Sequence, residues 1–390
     1  MKYEFPEIKT IDDVLPHIEG RKDFIVAERD FGFVINYNVT LPDSFPPIKS
    51  AGGSAKDRAA RQLTAKMRRE CRGIKFYPDG KIAARTMQKF FNVNEKDETQ
   101  FKNIDLSENH VILDKLDGSM IHPILHKGKV RLCTKMGFTE IAEDAEKWLR
   151  DKTRITTEWL YDRLSAGITD TFEWTSPNNR IVVSYDEPML TLLASRENIS
   201  GKYVVPEWCP FEVVKSYGSA KEIRDFVDSV KDQKGIEGFI GRFSDGHMFK
   251  IKTDEYVFIH KTLDNIRFDR HIVDAILKGE IDDTVSKLPE QDQNHVREFE
   301  KHFWKAFEQK ENRLYGLRIR AQQSYNDDRK RIAIDMIPNL ENKADASFVF
   351  RMIDGHDLRN MMLEHIKQNT NTNVKWDACA IWMGMEKKTT

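Results

Sequence analysis

The sequence predicts an α+β fold, with a first domain built largely on antiparallel sheets and a second domain that is all helix. Three observations lead there. Up to about residue 260, short apolar runs of β character are broken by glycine, proline and asparagine. Those runs are irregularly spaced, which argues against a regular strand–helix series and a parallel sheet. Past residue 262 the alternation fades, and apolar residues return at every third or fourth position.

In chain order, the β-like runs are FGFVINYNV (31–39), RGIKFY (72–77), VILDK (111–115), KVRLCT (129–134) and TFEW (171–174). RIVVSY (180–185), MLTLLAS (189–195), EGFIGRF (237–243) and HMFKIK (247–252) follow. Residues 139–150 and 155–165 read as helices between them. In the second part Val296, Phe299, Phe303 and Phe307 mark one helical face, continued by Leu314 and Leu317. Residues 265–278, 293–325, 328–337 and 355–368 read as helices, with breaks at Ile337-Pro338-Asn339 and Asp354-Gly355. The boundary is expected at 260–266, separating 1–262 from 263–390, and the terminal EKKTT is expected to fray.

Composition narrows the class. A chain of 390 residues, 39% hydrophobic, can bury two cores. The 32% of charged residues and the net charge of -1 argue against global disorder and leave room for a local basic groove. Cys71, Cys133, Cys209 and Cys379 are scattered without a CxxC pair, so neither a disulfide framework nor a zinc knuckle is implied. MKYEFPEIKTIDD lacks the segments of a signal peptide, and no apolar run is long enough to cross a bilayer. A reducing, cytoplasmic setting without a membrane partner is the expectation.

The stretch VILDKLDGSMIHP (111–123) places Lys115 between an apolar run and the turn-forming Asp117-Gly118. One reading is a surface lysine ending a strand and solvated by Asp114 or Asp117. The other is a strand-end lysine aimed into a cleft as a nucleophile. Other charges lie on neighbouring β-like runs: Glu173 interrupts TFEW, Glu237 precedes GFIG, and Lys250 and Lys252 share one strand face. Strands usually put such residues in solvent. As a set they also have a chemical use, since cations hold phosphates, carboxylates hold a divalent ion or a ribose, and a deprotonated lysine can attack phosphorus. The residues alone reach a candidate nucleotide-handling cleft.

DKLDGS at 114–119 resembles the lysine–x–Asp–Gly motif of the covalent nucleotidyltransferases, the ligase and capping-enzyme superfamily. FEW, EGFI and FKIK resemble the later motifs in the expected order. ECRGIKF (70–76), QKFFNVNE (88–95), TSPNNRIVVSY (175–185) and the lysine of CTKMG (133–137) are similar to the phage T4 RNA ligase 1 type. Leu116 departs from the acidic or threonine-like neighbour common at that position, while Lys115, Asp117 and Gly118 are intact. The resemblance covers roughly residues 30–260 and implies an adenylylation domain followed by a helical domain that shapes RNA specificity.

It implies an ATP-dependent RNA ligase acting through a lysyl-AMP and an RNA-adenylate on 5′-phosphate and 3′-hydroxyl ends, with broken tRNA loops as a narrower substrate. Lys115 would be the nucleophile. Arg72, Lys89 and Lys135 would contact nucleotide or phosphates, and Glu173 would lie near ribose and metal. Glu237 would serve adenylylation and metal binding, and Lys250 and Lys252 would neutralise the reacting phosphates. Tyr256 would be an aromatic neighbour of the nucleotide or a packing residue. ATP and Mg²⁺, with Mn²⁺ able to serve in vitro, are the implied co-substrate and metal, and a monomer is expected. The basic segment KDRAARQLTAKMRRE (56–70) reads either as an RNA-backbone patch or as a solvated helix face. A capping guanylyltransferase or DNA ligase would share the chemistry, but the helical tail offers no OB-like β-domain. An RNA-binding protein with degenerate catalysis is the non-enzyme alternative.

Overall fold

The computed structural model describes residues 3–49, 52–286, 288 and 290–385. The EKKTT tail lies outside the described residues. The chain divides into two compact units, Met1–Val257 and Phe258–Thr390.

The first unit is α+β. Strands β1 (Phe24–Arg29) and β2 (Gly32–Tyr37) form a hairpin. Helix α1 (Ala55–Glu70) then leads into β3 (Arg72–Phe76) and β4 (Ile82–Ala84), completing an antiparallel sheet in the order β1-β2-β3-β4. Ser54 starts α1 with a reciprocal cap: its hydroxyl accepts from the Asp57 amide, and the Asp57 carboxylate accepts from the Ser54 amide. The apolar side of this layer buries Phe24, Ile35, Ile74 and Phe76 against Phe45 and against Met67 of α1.

Further strands follow as β5 (Phe91–Asn92), β6 (His110–Lys115), β7 (Ser119–His126) and β8 (Lys129–Cys133). Helices α2 (Glu140–Arg150) and α3 (Arg154–Ser165) precede β9 (Ile168–Thr175), β10 (Met189–Glu197), β11 (Tyr203–Val204) and β12 (Glu212–Val213). Helix α4 (Ile223–Lys231) precedes β13 (Gly238–Phe243) and β14 (Met248–Lys252). A second sheet runs β5-β14-β13-β6, and a third runs β11-β10-β9-β7-β8, with β12 beside β10. One face of the second sheet buries Ile112, Phe239, Phe249 and Ile251 against Ile223, Val227 and Val230 of α4. The two-residue strand period therefore puts Lys250 and Lys252 on the other face.

The expected strand RIVVSY (180–185) does not form. Those residues make an irregular segment, because the Val182 and Val183 amides donate to the Asp117 carboxylate rather than to a neighbouring strand. Strands β1, β4, β5, β7, β11 and β12 and helix α4 were not anticipated.

Helix α5 (Asp254–Ile266) crosses the division between the units, so the helix expected over 265–278 is broken and resumes as α6 (Asp269–Lys278). The second unit continues with α7 (Ile281–Val285), α8 (Glu290–Tyr325) and a short α9 (Arg329–Arg331), which runs into π and 3-10 turns through Asn339. It ends with α10 (Asp345–Ile353), α11 (Leu358–Asn369) and α12 (Asn373–Met383). Phe299, Phe303, Phe307 and Leu314 of α8 are buried with Met361, Met362, Trp376 and Trp382. Inside this core, Asp345 accepts from Lys310 Nζ at 2.7 Å and from the Trp382 indole at 2.8 Å.

Candidate active site

Lys115 is the last residue of β6, and Leu116-Asp117-Gly118 carries the chain from the second sheet to β7 in the third. This corner is tight. A Cβ on Gly118 would lie 2.3 Å from the Trp174 carbonyl oxygen of β9, so only glycine lets the two backbones approach this closely. Asp117 is 1% exposed. Its carboxylate accepts from the amides of Val182 (2.7 Å) and Val183 (2.8 Å) and from the Tyr256 hydroxyl (2.6 Å). Its own amide donates to the Tyr185 hydroxyl at 3.0 Å. A carboxylate so occupied is a post that fixes the corner.

Lys115 therefore takes neither adjacent acid as its ion-pair partner. Its Nζ lies 2.6 Å from Glu237 Oε2, while Lys252 Nζ lies 2.9 Å from Glu237 Oε1. The strand register explains this bridge, because Gly238 stands opposite Lys115 on one side and Lys252 on the other. Gly238 has φ +145, and a Cβ there would strike the Ile251 carbonyl oxygen at 2.0 Å. Glu237, immediately before β13 and 4% exposed, thus reaches both ammonium groups.

Lys250 is half-buried two residues before Lys252. Burial, then the charges of Lys89, Lys115, Arg72 and Lys252, push its ammonium down to about 7. Glu173, on β9 opposite Met120 and Thr191, is also half-buried. Burial pushes its carboxyl up to about 7; Lys115 and Arg72 pull it down, while Glu237 and Asp117 push it further up. Among the described residues no hydrogen bond or ion pair holds the Glu173 carboxylate. The charges acting on Lys250 and Glu173 place residues of the first, second and third sheets within electrostatic reach of one another.

A second group of cations gathers around Tyr37. Lys89 and Lys135 lie 4.9 and 4.8 Å from its ring centroid. Burial would raise the Tyr37 phenol, but Lys89, Arg72 and Lys135 together hold it below its usual value. Arg72 and Lys250 each lie over the Phe90 ring, at 5.6 and 5.7 Å from its centroid. Tyr37 escaped sequence reasoning, since an aromatic in an alternating strand carries no signal beyond packing.

Tyr256 has a definite structural place. It is 3% exposed, its hydroxyl donates to Asp117, and Lys252 Nζ sits 4.7 Å from its ring centroid. Burial and the Glu237 and Asp117 charges push its phenol up, so it stays protonated as a donor. Tyr256 supports the corner from below.

The basic segment forms α1, and its last turn is not a solvated face. Arg69 pairs with Glu98 at 2.5 Å. Glu70 lies between Arg85 (3.0 Å) and Arg196 (2.9 Å), with all three side chains at most 1% exposed.

The arrangement suits a polyphosphate, with Arg72, Lys89, Lys135, Lys250 and Lys252 to neutralise it and Lys115 positioned to attack. Among the described residues no group of three His, Cys, Asp or Glu side chains could hold a metal by itself. Glu173 and Glu237 could supply the one or two carboxylates that Mg²⁺ takes when phosphates and water complete its shell. The donor set fits an ion that arrives with a nucleotide.

Comparisons with known proteins find RNA ligases among the matches. A family model described as RNA ligase matches residues 70–258. A provisionally named RNA ligase of Thermovibrio ammonificans is 29% identical over 295 residues, 70% of each chain. A provisionally named bifunctional polynucleotide kinase/RNA ligase of Autographa californica nuclear polyhedrosis virus is 28% identical over 244 residues, 56% of this chain and 35% of the viral one. Among solved structures, a Naegleria gruberi RNA ligase with pyrophosphate is 14% identical, with TM-score 0.37, covering 45% of this chain and 58% of that one. The family and sequence matches support a place for the chain in the covalent nucleotidyltransferase and RNA ligase superfamily at large. They also support a nucleotidyltransferase or ligase activity in general. Among the described residues no helix is long and apolar enough to cross a membrane.

Proposed function

We propose that this protein is an ATP-dependent RNA ligase of the phage T4 RNA ligase 1 type, with Lys115 as its nucleophile. The observation that carries the reading is the Lys115–Glu237–Lys252 bridge beside the anchored Asp117-Gly118 corner. In the first step the Lys115 amine attacks the α-phosphorus of ATP; the nitrogen–phosphorus bond forms as the bond to pyrophosphate breaks. The attacking amine must first lose a proton. That proton passes to water as Glu237 turns from Lys115 toward the metal it would hold.

Arg72, Lys89, Lys135 and Lys250 hold the phosphates in line, and Tyr256 keeps the corner fixed. Glu173 and Glu237 would hold Mg²⁺ (Mn²⁺ in vitro), which neutralises developing phosphate charge. AMP then passes to an RNA 5′-phosphate, and a 3′-hydroxyl displaces it. The helical part, 263–390, selects the RNA, with single-stranded ends such as a nicked anticodon loop as substrate.

The direct test is incubation with ATP and Mg²⁺ followed by intact-mass measurement, then joining assays. One AMP per chain and sealing of 5′-phosphate, 3′-hydroxyl RNA are expected. Preference for GTP, or sealing of nicked DNA but not RNA, would sink the assignment.

The paired lysines give a finer prediction. K250A and K252A should each slow adenylylation about 10²–10³-fold, the usual loss for one electrostatic contact to a developing charge. Their melting temperatures should move little. Normal rates with early melting would make both lysines structural.

A further inference from the structure

Lys75 is a buried cation that the chemistry above does not use. It lies in β3 and is fully buried, yet no carboxylate pairs with it among the described residues. Its Nζ donates to the carbonyl oxygens of Gly73 (3.1 Å), Thr134 (3.0 Å) and Lys135 (3.2 Å) and lies 2.8 Å from His122 Nε2. Four acceptors thus surround three N–H donors. His122 is itself fully buried, with Nδ1 3.3 Å from the Pro123 carbonyl oxygen. Nδ1–H donating there leaves Nε2 to accept from Lys75. Burial and the Lys75 charge hold His122 well below its usual value, in keeping with a neutral ring.

The segments joined by this ammonium carry two of the cleft cations. Gly73 follows Arg72, and the Thr134-Lys135 carbonyls belong to the turn after β8. These segments touch: Gly73 has φ +80, and a Cβ there would come within 2.6 Å of the Lys135 carbonyl oxygen and 2.8 Å of its Cγ. Arg72 and Lys135 then converge on Tyr37.

We infer that Lys75 is a positioning residue for nucleotide binding, a charged staple that fixes the separation of Arg72 and Lys135. This rests on the reading that those two cations hold the nucleotide. The staple works only while it is charged. Burial brings the Lys75 ammonium down to about 8, with Cys133 on β8 pulling it up and Arg29 on β1 pulling it down. Besides those two groups and neutral His122 on β7, the Phe31 ring faces it, 5.9 Å from Nζ. As pH rises through that value the amine keeps two N–H groups for four acceptors, and the staple loosens. The gain it gives nucleotide binding is therefore present below about pH 8 and lost above it.

The test is equilibrium binding of ATP to the K115A protein, which cannot form the adduct, against K115A/K75M across pH. At pH 7 the double variant should bind about ten- to a hundredfold more weakly, the order expected when contacts shift by about 1 Å. The gap should close by about pH 9.5 as the single variant loses its own staple. A gap that stays constant with pH, or no gap, overturns the inference while leaving the nucleotide reading intact. No ATP binding by K115A at any pH would sink that reading first, and this inference with it. If K75M does not fold, H122L serves instead. Loss of one acceptor should move the pH at which K115A/H122L weakens to a lower value, and an unchanged profile overturns the staple.

Discussion

K115M should form no AMP adduct, its adenylylation rate falling by more than about 10³-fold, because no other amine occupies the attacking position. Methionine keeps most of the stem, so packing beside Glu237 is largely preserved. Glu237 would still hold Lys252 at 2.9 Å, and this largely buried carboxylate would not be left unpaired. The cost in stability should therefore stay within about 1 kcal/mol. Intact-mass measurement after ATP and Mg²⁺ reads the adduct, and a denaturant melt reads the fold. The third step needs no lysine nucleophile, so K115M given pre-adenylated RNA should still seal it to a 3′-hydroxyl. Persistence of the adduct on a different lysine would refute the assignment.

E70A should be the most destabilising single change in the first unit. Glu70, at the end of α1, is the only carboxylate paired with either Arg85 or Arg196 among the described residues, and all three side chains are buried. The two guanidinium groups also donate to the carbonyls of Pro6, Thr86, Asn198, Ile199 and Gly201, which ties α1 to the first and third sheets. Removing the acid leaves two facing cations out of water, a loss of about 3–5 kcal/mol.

The acid limb gives a second readout. Burial pushes the Glu70 carboxyl up, but Arg196 and Arg85 outweigh it and hold the group at about 2 instead of 4.5. A depressed carboxylate contributes stability above the unfolded value and loses it as pH falls toward the folded one. That contribution is on the order of 3 kcal/mol. Between about pH 4.5 and 2 the native protein should lose more stability than E70Q does. Parallel acid limbs, or an E70A penalty under about 1 kcal/mol, would show that the triad is not a strut.

Glu173, Glu237, Lys250 and Lys252 were readable as charges on strand-like runs, and the two-residue period put Lys250 and Lys252 together, whereas Arg72, Lys89 and Lys135 came only from the family resemblance. RIVVSY misled for the opposite reason. Val182 and Val183 have strand-like side chains, but their amides answer to Asp117, some sixty-five positions earlier, and no local pattern reports such a partner. Lys75 gave no signal within RGIKFY, because the three carbonyls and His122 that receive it come together only in the fold. Glu70 was hidden in the same way within a basic helix, because Arg85 and Arg196 reach it from distant strands. The α8 face of Phe299, Phe303 and Phe307 was plain from its spacing. Helix α12 was not, since it buries Trp376 and Trp382 while exposing Val374 and Ile381, and so lacks a clean apolar stripe.

The bond between Lys115 and Glu237 joins charge to charge, and the proposed reaction would remove one of those charges. A nitrogen that carries AMP is no longer an ammonium, so Glu237 has no cation to hold at the end of that side chain. Loading the arm would unfasten it. The backbone beneath stays clamped by Gly118 against Trp174 and by the collar around Asp117. Only the side chain of Lys115 would then be free to turn and carry the adenylate toward an incoming RNA end.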